Sequence, residues 1–130
     1  MVDHIYVLSY IYIMTTTTDT LFSALANEIR LRCLMLMQHH GELCVCELTH
    51  TLGLSQPMIS RHLALLRDDA LVEARREGQW MYYRIHSDLS EWANNILETT
   101  AHACEQESPF NEDLMTLEDM PNRPGSACCA

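Results

Sequence analysis

The stretch LSQPMISRHLALLRDDALVEARREGQWMYYRI, residues 54–85, changes its hydrophobic period partway along, and that change decides the fold. Up to Asp69 the apolar residues fall at Ile59, Leu63 and Leu66, the three-to-four spacing of a helix with one buried face. Ser55 is a good N-cap, and Pro57 is tolerated only in a first turn, so the helix begins at about Gln56. After Ala70 two β-rich arms flank Glu77–Gly78, which reads as a hairpin.

Upstream, Leu21, Phe22 and Leu25, then Ile29, Cys33, Leu36 and Met37, keep helical spacing over two consecutive helices. The polar run at 15–20 offers Thr or Asp as a first cap, and Asn27 caps the restart. Gly41 ends the second helix, and a third, short helix over roughly 45–52 stops at Gly53. Downstream, from Asp88, the helical period returns at Leu89, Trp92, Ala93, Ile96, Leu97 and Thr100. Two helices joined by a Gly-containing turn and followed by a hairpin describe a winged helix-turn-helix. The expected class is mainly α (α+β), with a two-stranded wing, over residues 15–107. Residues 108–130 combine many acids with Pro109, Pro121 and Pro124, and are expected to be a disordered acidic tail. Residues 1–14 are apolar but too short to span a bilayer. They read either as a non-native extension upstream of Met14 or as an arm packing on the domain or a partner.

A net charge of −10 over 130 residues argues against a nucleic-acid partner until its distribution is read. Residues 87–130 carry −8, residues 1–54 carry −3, and residues 55–86 carry +1. The chain has no lysine, and five of its eight arginines lie in that middle window. Arginine is the better cation for forked contacts to phosphate or guanine. In a helix-turn-helix the second helix enters the major groove with its N-terminal residues on the base edges. Ser55, Gln56, Ser60 and Arg61 occupy that end or its exposed face. Gln pairs in bidentate fashion with adenine and Arg with guanine. His62 either touches a phosphate or packs at the helix edge, while Arg75, Arg76 and Gln79 at the hairpin suit the DNA backbone or minor groove.

Six cysteines without a convincing secretory signal point to a reducing cytoplasm and to free or metal-bound thiols. Cys44 and Cys46 stand one residue apart at the start of the short helix. Thiolates select thiophilic ions, and a helix N-terminus favours the thiolate. Residues two apart in a helix point opposite ways, whereas in an extended segment they share a face. Both sulfurs therefore reach one ion only if residues 43–46 leave the regular helix, and binding there would disturb the support of the recognition helix. Cys33 lies on an apolar stripe and reads as a core thiol. Nothing in the chain resembles a phosphate loop, a C-x-x-C redox motif or a base-oriented nucleophile, so no enzyme is expected.

ELCVCEL at 42–48, SQPMISRHLALLR at 55–67, REGQWMYYR at 76–84 and ACEQE at 103–107 together resemble the ArsR/SmtB family of metal-sensing transcriptional repressors, in its arsenic-responsive branch. The resemblance covers about residues 18–107. It implies a cytoplasmic homodimer that sits on an imperfectly palindromic operator and is released by arsenite or antimonite bound to Cys44 and Cys46, with no permanent cofactor and no membrane. The dimer seam is then expected to use Leu21, Leu25, Trp92, Ile96 and Leu97.

Two departures stand out. Thr49 replaces a frequent third cysteine, and Met58 stands where a basic residue is common. A third thiolate would have to come from Cys104, Cys128 or Cys129, or else two thiolates and water hold the ion. Zinc-responsive members pair Asp and His at the start of the last helix and His and Glu near its end. Here His102 and Glu105 keep the second spacing, but Asp88 lacks its histidine, and His102 reads as a solvated or interface residue. The alternative inducer is cadmium, lead or zinc, but such sensors draw further cysteines from an N-terminal arm, and residues 1–32 contain none.

Overall fold

The computed structural model describes residues 16–123. Helix α1 (Thr18–Leu25) starts from Thr17, whose hydroxyl accepts the Thr20 N–H while the Thr20 hydroxyl accepts the Thr17 N–H. Helix α2 (Glu28–His40) restarts at Asn27, whose side chain accepts the Arg30 N–H at 3.0 Å. Gly41, at φ 75°, ends α2 in a backbone conformation that favours glycine. A two-residue strand β1 (Leu43–Cys44) leads directly into helix α3 (Val45–Leu52), which closes on a left-handed Gly53. Helix α4 (Gln56–Asp68) follows, with Ser55 as its cap and Pro57 in its first turn. The wing is β2 (Val72–Glu77) and β3 (Trp80–Ile85) around a turn at Gly78–Gln79. Helix α5 (Glu91–Cys104) and helix α6 (Phe110–Glu118) complete the described chain.

This is the expected winged helix-turn-helix, with one addition to its sheet. β1 pairs antiparallel with β3, so the order is β1–β3–β2. Leu43 faces Tyr83 and Cys44 faces Tyr82, while Arg75 on β2 faces Tyr82 from the other side. One row across the sheet thus joins the first cysteine to a wing arginine. The core is centred on α2, which packs against α4, α5 and the sheet, with Leu34, Leu36, Ile59, Leu63, Leu66 and Leu97 almost fully buried. Each such side chain contributes about 1.5–3 kcal/mol of transfer free energy. α5 begins at Glu91, after a turn that runs from His86 to Ser90, rather than at Asp88.

The expectation of disorder from residue 108 is corrected over the described part. Composition suggested a tail, but Phe110, Leu114 and Leu117 recur at helical spacing and pack on the core, with Leu117 fully buried. The acid that stands in their way is neutralised: Arg32 of α2 grips Asp113 through Nε at 2.8 Å and Nη2 at 2.7 Å. The rest of that expectation, like the one for residues 1–14, lies outside the described residues. Asp113→Ala strands Arg32, which keeps about a fifth of its side chain exposed. The expected cost is about 1–3 kcal/mol, below that of breaking a fully buried pair. Chemical denaturation of the variant checks it, and an unchanged midpoint would detach α6 from the fold's stability.

Candidate functional site

The N-terminus of α4 presents its polar side chains to solvent. Ser55, Gln56 and Arg61 are exposed and Ser60 is half-buried, while Ile59 and Leu63 one step round the helix anchor it. Only the spacing of those anchors turns Gln56 and Arg61 outward. His62 is different: half-buried, it lies with Nδ1 3.4 Å from Nη1 of Arg30. Burial and the neighbouring Arg30 hold its pKa below the ordinary histidine value. It is therefore mostly neutral at pH 7.

At the wing tip Arg76 and Gln79 are exposed. Arg75 is engaged with the protein. Its Nε donates to Glu42 Oε2 at 2.7 Å, its Nη2 to Glu42 Oε1 at 2.5 Å, and its Nη1 to Glu77 at 3.2 Å. Its guanidinium also lies 4.6 Å over the Tyr82 ring. These hydrogen bonds raise the Arg75 pKa further above its ordinary value, and hold the Glu42 carboxyl below the usual range.

The cysteine segment straddles the start of α3. Cys44 is the N-cap of α3 in an extended conformation, φ −77° and ψ 151°, and Cys46 is the second helical residue. Glu47, itself 3% exposed, accepts the Cys44 N–H at 2.8 Å and the Arg123 Nε–H at 2.6 Å. Glu47 thus fills the acidic position of a capping box, with cysteine in the cap position. The two sulfur-bearing residues line one cleft of about 320 Å³, together with Thr49 of α3, Gln56 and Ser60 of α4, and Gln79 and Trp80 of the wing. Thr49 donates its hydroxyl proton to the Cys46 carbonyl at 3.0 Å. An alcohol is also a hard donor, a poor substitute for a third thiolate.

Cys46 is disulfide-bonded, which departs from the expectation of free or metal-bound thiols. A thiophilic ion spanning both sulfurs therefore requires the reduced protein. Cys33 is a core thiol, as expected, and burial pushes it up to about 12. Cys104 is buried beside Met35, Leu36 and Phe110 under α6, and burial raises its pKa too. Among the described residues no group of three His, Cys, Asp or Glu side chains converges as a metal site, so Cys104 does not complete a triad with Cys44 and Cys46. Cys128 and Cys129 lie outside the described residues. His102 is exposed, 3.8 Å from Glu105, in keeping with the solvated reading.

The seam residues need one correction. Leu21 and Leu97 are fully buried inside the protomer, so they belong to its core and are not available to a partner. A helical stripe tells that a side chain is buried, not against what. Trp92 remains exposed, Leu25 and Ile96 are half-covered, and Phe22, 54% exposed, joins them as an uncovered apolar residue. Sequence reasoning also passed over Glu42 and Glu47. Glu47 had a signal in its position three residues after the cap, whereas the partner of Glu42 is 33 residues away and had none. No helix among the described residues is long and apolar enough to cross a membrane.

Residues 27–74 match the family described as bacterial regulatory protein, arsR family. The arsenic resistance transcriptional regulator ArsR1 of Pseudomonas putida is 44% identical over 115 residues, 88% of each chain. The arsenical resistance operon repressor of Escherichia coli K12 is 48% identical over 87 residues, covering 67% of this chain and 74% of that one. Among solved structures, the AntR antimony-specific transcriptional repressor superposes with a TM-score of 0.56 at 33% identity, over 65% of this chain and 74% of that one. With the helix, turn, helix and wing in place and a relative this similar along nearly its whole length, the chain belongs to the arsR family of bacterial regulatory proteins.

Proposed function

We propose that this protein is a DNA-binding repressor of an arsenic-resistance operon, released from its operator when arsenite or antimonite is held by reduced Cys44 and Cys46. The observation that carries the reading is the shared cleft: the sulfur pair, the base-reading side chains Gln56 and Ser60, and Gln79 of the wing line one cavity. An ion drawn in by the two sulfurs re-aims the start of α3, and α3 meets α4 through the short turn at Gly53–Leu54. Inducer and operator then oppose each other by linkage, each weakening the other by the same factor. The names of the relatives, which include arsenical and antimony-specific repressors, agree with a metalloid inducer.

On DNA the protein acts as a cytoplasmic homodimer, joined through the patch around Phe22, Leu25, Trp92 and Ile96, so that two α4 helices meet two half-sites of an imperfect palindrome. Ser55, Gln56, Ser60, Arg61 and His62 face the major groove and its edges, and Arg75, Arg76 and Gln79 face the backbone or minor groove. The decisive experiment is gel retardation of the DNA upstream of the gene by reduced protein, titrated with arsenite and, separately, with cadmium, lead and zinc. Arsenite-dependent release supports the reading. Release by the divalent ions alone would transfer the site to the runner-up inducers, and no DNA retention would reject it. Arg61→Ala should weaken operator binding by roughly 1–3 kcal/mol if the side chain meets a base or a key phosphate. Fluorescence anisotropy with labelled operator measures it, and an unchanged affinity removes Arg61 from the contact set.

A further inference from the structure

Glu42 has no role in the proposed inducer site, yet it stands two residues before Cys44 and holds a wing arginine with both carboxylate oxygens. Across the sheet, Cys44, Tyr82 and Arg75 are in register, and the Arg75 guanidinium rests on the Tyr82 ring. β1 is only two residues long, so the strand that carries the first sulfur meets the wing through a short ladder, and this forked ion pair adds a side-chain link beside it. A bidentate arginine–carboxylate pair sets orientation as well as attraction. The cleft beside it, about 630 Å³ and lined by Glu42, Glu73, Arg75 and Arg84, leaves the guanidinium open to solvent on one side.

We propose that Glu42 is a positioning residue that ties Arg75 of the wing to the sulfur-bearing strand, so that capture of an inducer at Cys44 is felt by the wing as well as by α4. The inference rests on the proposed thiol site and adds a second route from it to DNA. When Cys44 is pulled towards an ion, β1 shifts, Glu42 shifts with it, and Arg75 is re-aimed relative to the phosphate backbone. Because the pair is half-exposed, its share of the coupling is that of a well-formed surface ion pair, not of a buried one.

The test compares reduced parent protein with Glu42→Gln, Arg75→Gln and the double variant. Two quantities are read: arsenite affinity, from the quenching of tryptophan fluorescence, since Trp80 lines the thiol cleft, and the ratio of operator affinities without and with saturating arsenite. Glu42→Gln should keep its arsenite affinity while that ratio falls by about threefold to fivefold. Arg75→Gln should lower the ratio similarly, and the double variant should lower it no further, as partners in one interaction do. A merely structural role for Glu42 would lower the melting temperature and leave the ratio unchanged. If Glu42→Gln fails to fold, Arg75→Gln carries the same test from the other end. An unchanged ratio in both single variants, or losses that multiply in the double variant, overturns the proposal. A parent that arsenite never releases rejects the thiol-site reading itself, and this linkage with it. That outcome is told apart by the parent alone.

Discussion

Cys44→Ser and Cys46→Ser are each expected to hold operator DNA in the presence of arsenite that strips the reduced parent from it. The parent should lose at least about tenfold in operator affinity, a coupling of about 1.4 kcal/mol, whereas each variant should shift by less than about twofold. The physical reason is the donor: a serine hydroxyl has the geometry of the thiol but none of its affinity for a soft ion. Loss of one sulfur leaves one thiolate at the start of α3, and neither Thr49 nor the buried Cys104 can take its place. The fold should survive. Cys46 is half-exposed, and at the nearly buried Cys44 a hydroxyl costs about 1–3 kcal/mol out of a typical 5–15. Anisotropy titrations of labelled operator, with reductant throughout because Cys46 is disulfide-bonded here, give the comparison. Normal release of both variants would move the inducer away from α3.

The second large effect separates core from seam. Leu97 is fully buried within one protomer, so Leu97→Ala should cost about 2–5 kcal/mol of folding stability through lost transfer energy and the cavity left behind. Trp92, on the same helix and 37% exposed, should behave otherwise. Trp92→Ala should change protomer stability by no more than about 1 kcal/mol but shift the dimer towards monomer, since aromatic anchors dominate such interfaces. Denaturant melts at fixed protomer concentration, read beside sedimentation equilibrium, separate the two, because a dimer's apparent stability depends on concentration. A small stability loss for Leu97→Ala accompanied by dissociation would return Leu97 to the seam. An unchanged sedimentation profile for Trp92→Ala would remove the Trp92 patch from it.

Much of the molecule was legible because the signals are local. Ile59, Leu63 and Leu66 fall on one helical face whatever surrounds them, and Ser55, Pro57 and Gly53 punctuate the chain through their own backbone preferences. The switch to alternating, β-rich residues around Gly78 marked the wing for the same reason. The start of α3 near residue 45 was legible, but the extended cap at Cys44 was not; stereochemistry said only that two sulfurs two residues apart cannot face one ion from a regular helix. α6 was missed because acid-rich composition outweighed a short apolar stripe. Asp113 becomes acceptable in the interior only beside Arg32, which is 81 residues away.

From its sequence alone this protein declared a winged helix-turn-helix, a polar outer face on the second helix of that motif and a pair of soft donors at a helix start, because each depends on residue type and spacing within a few turns of chain. Tertiary structure alone decided which of the leucines expected at a seam are core, that Arg75 is held by Glu42, and that Cys44 and Cys46 line one cleft with Gln56 and Ser60. Those outcomes depend on which side chains meet across roughly 10 to 80 residues, and burial and charge pairing between elements are settled only when the whole chain packs.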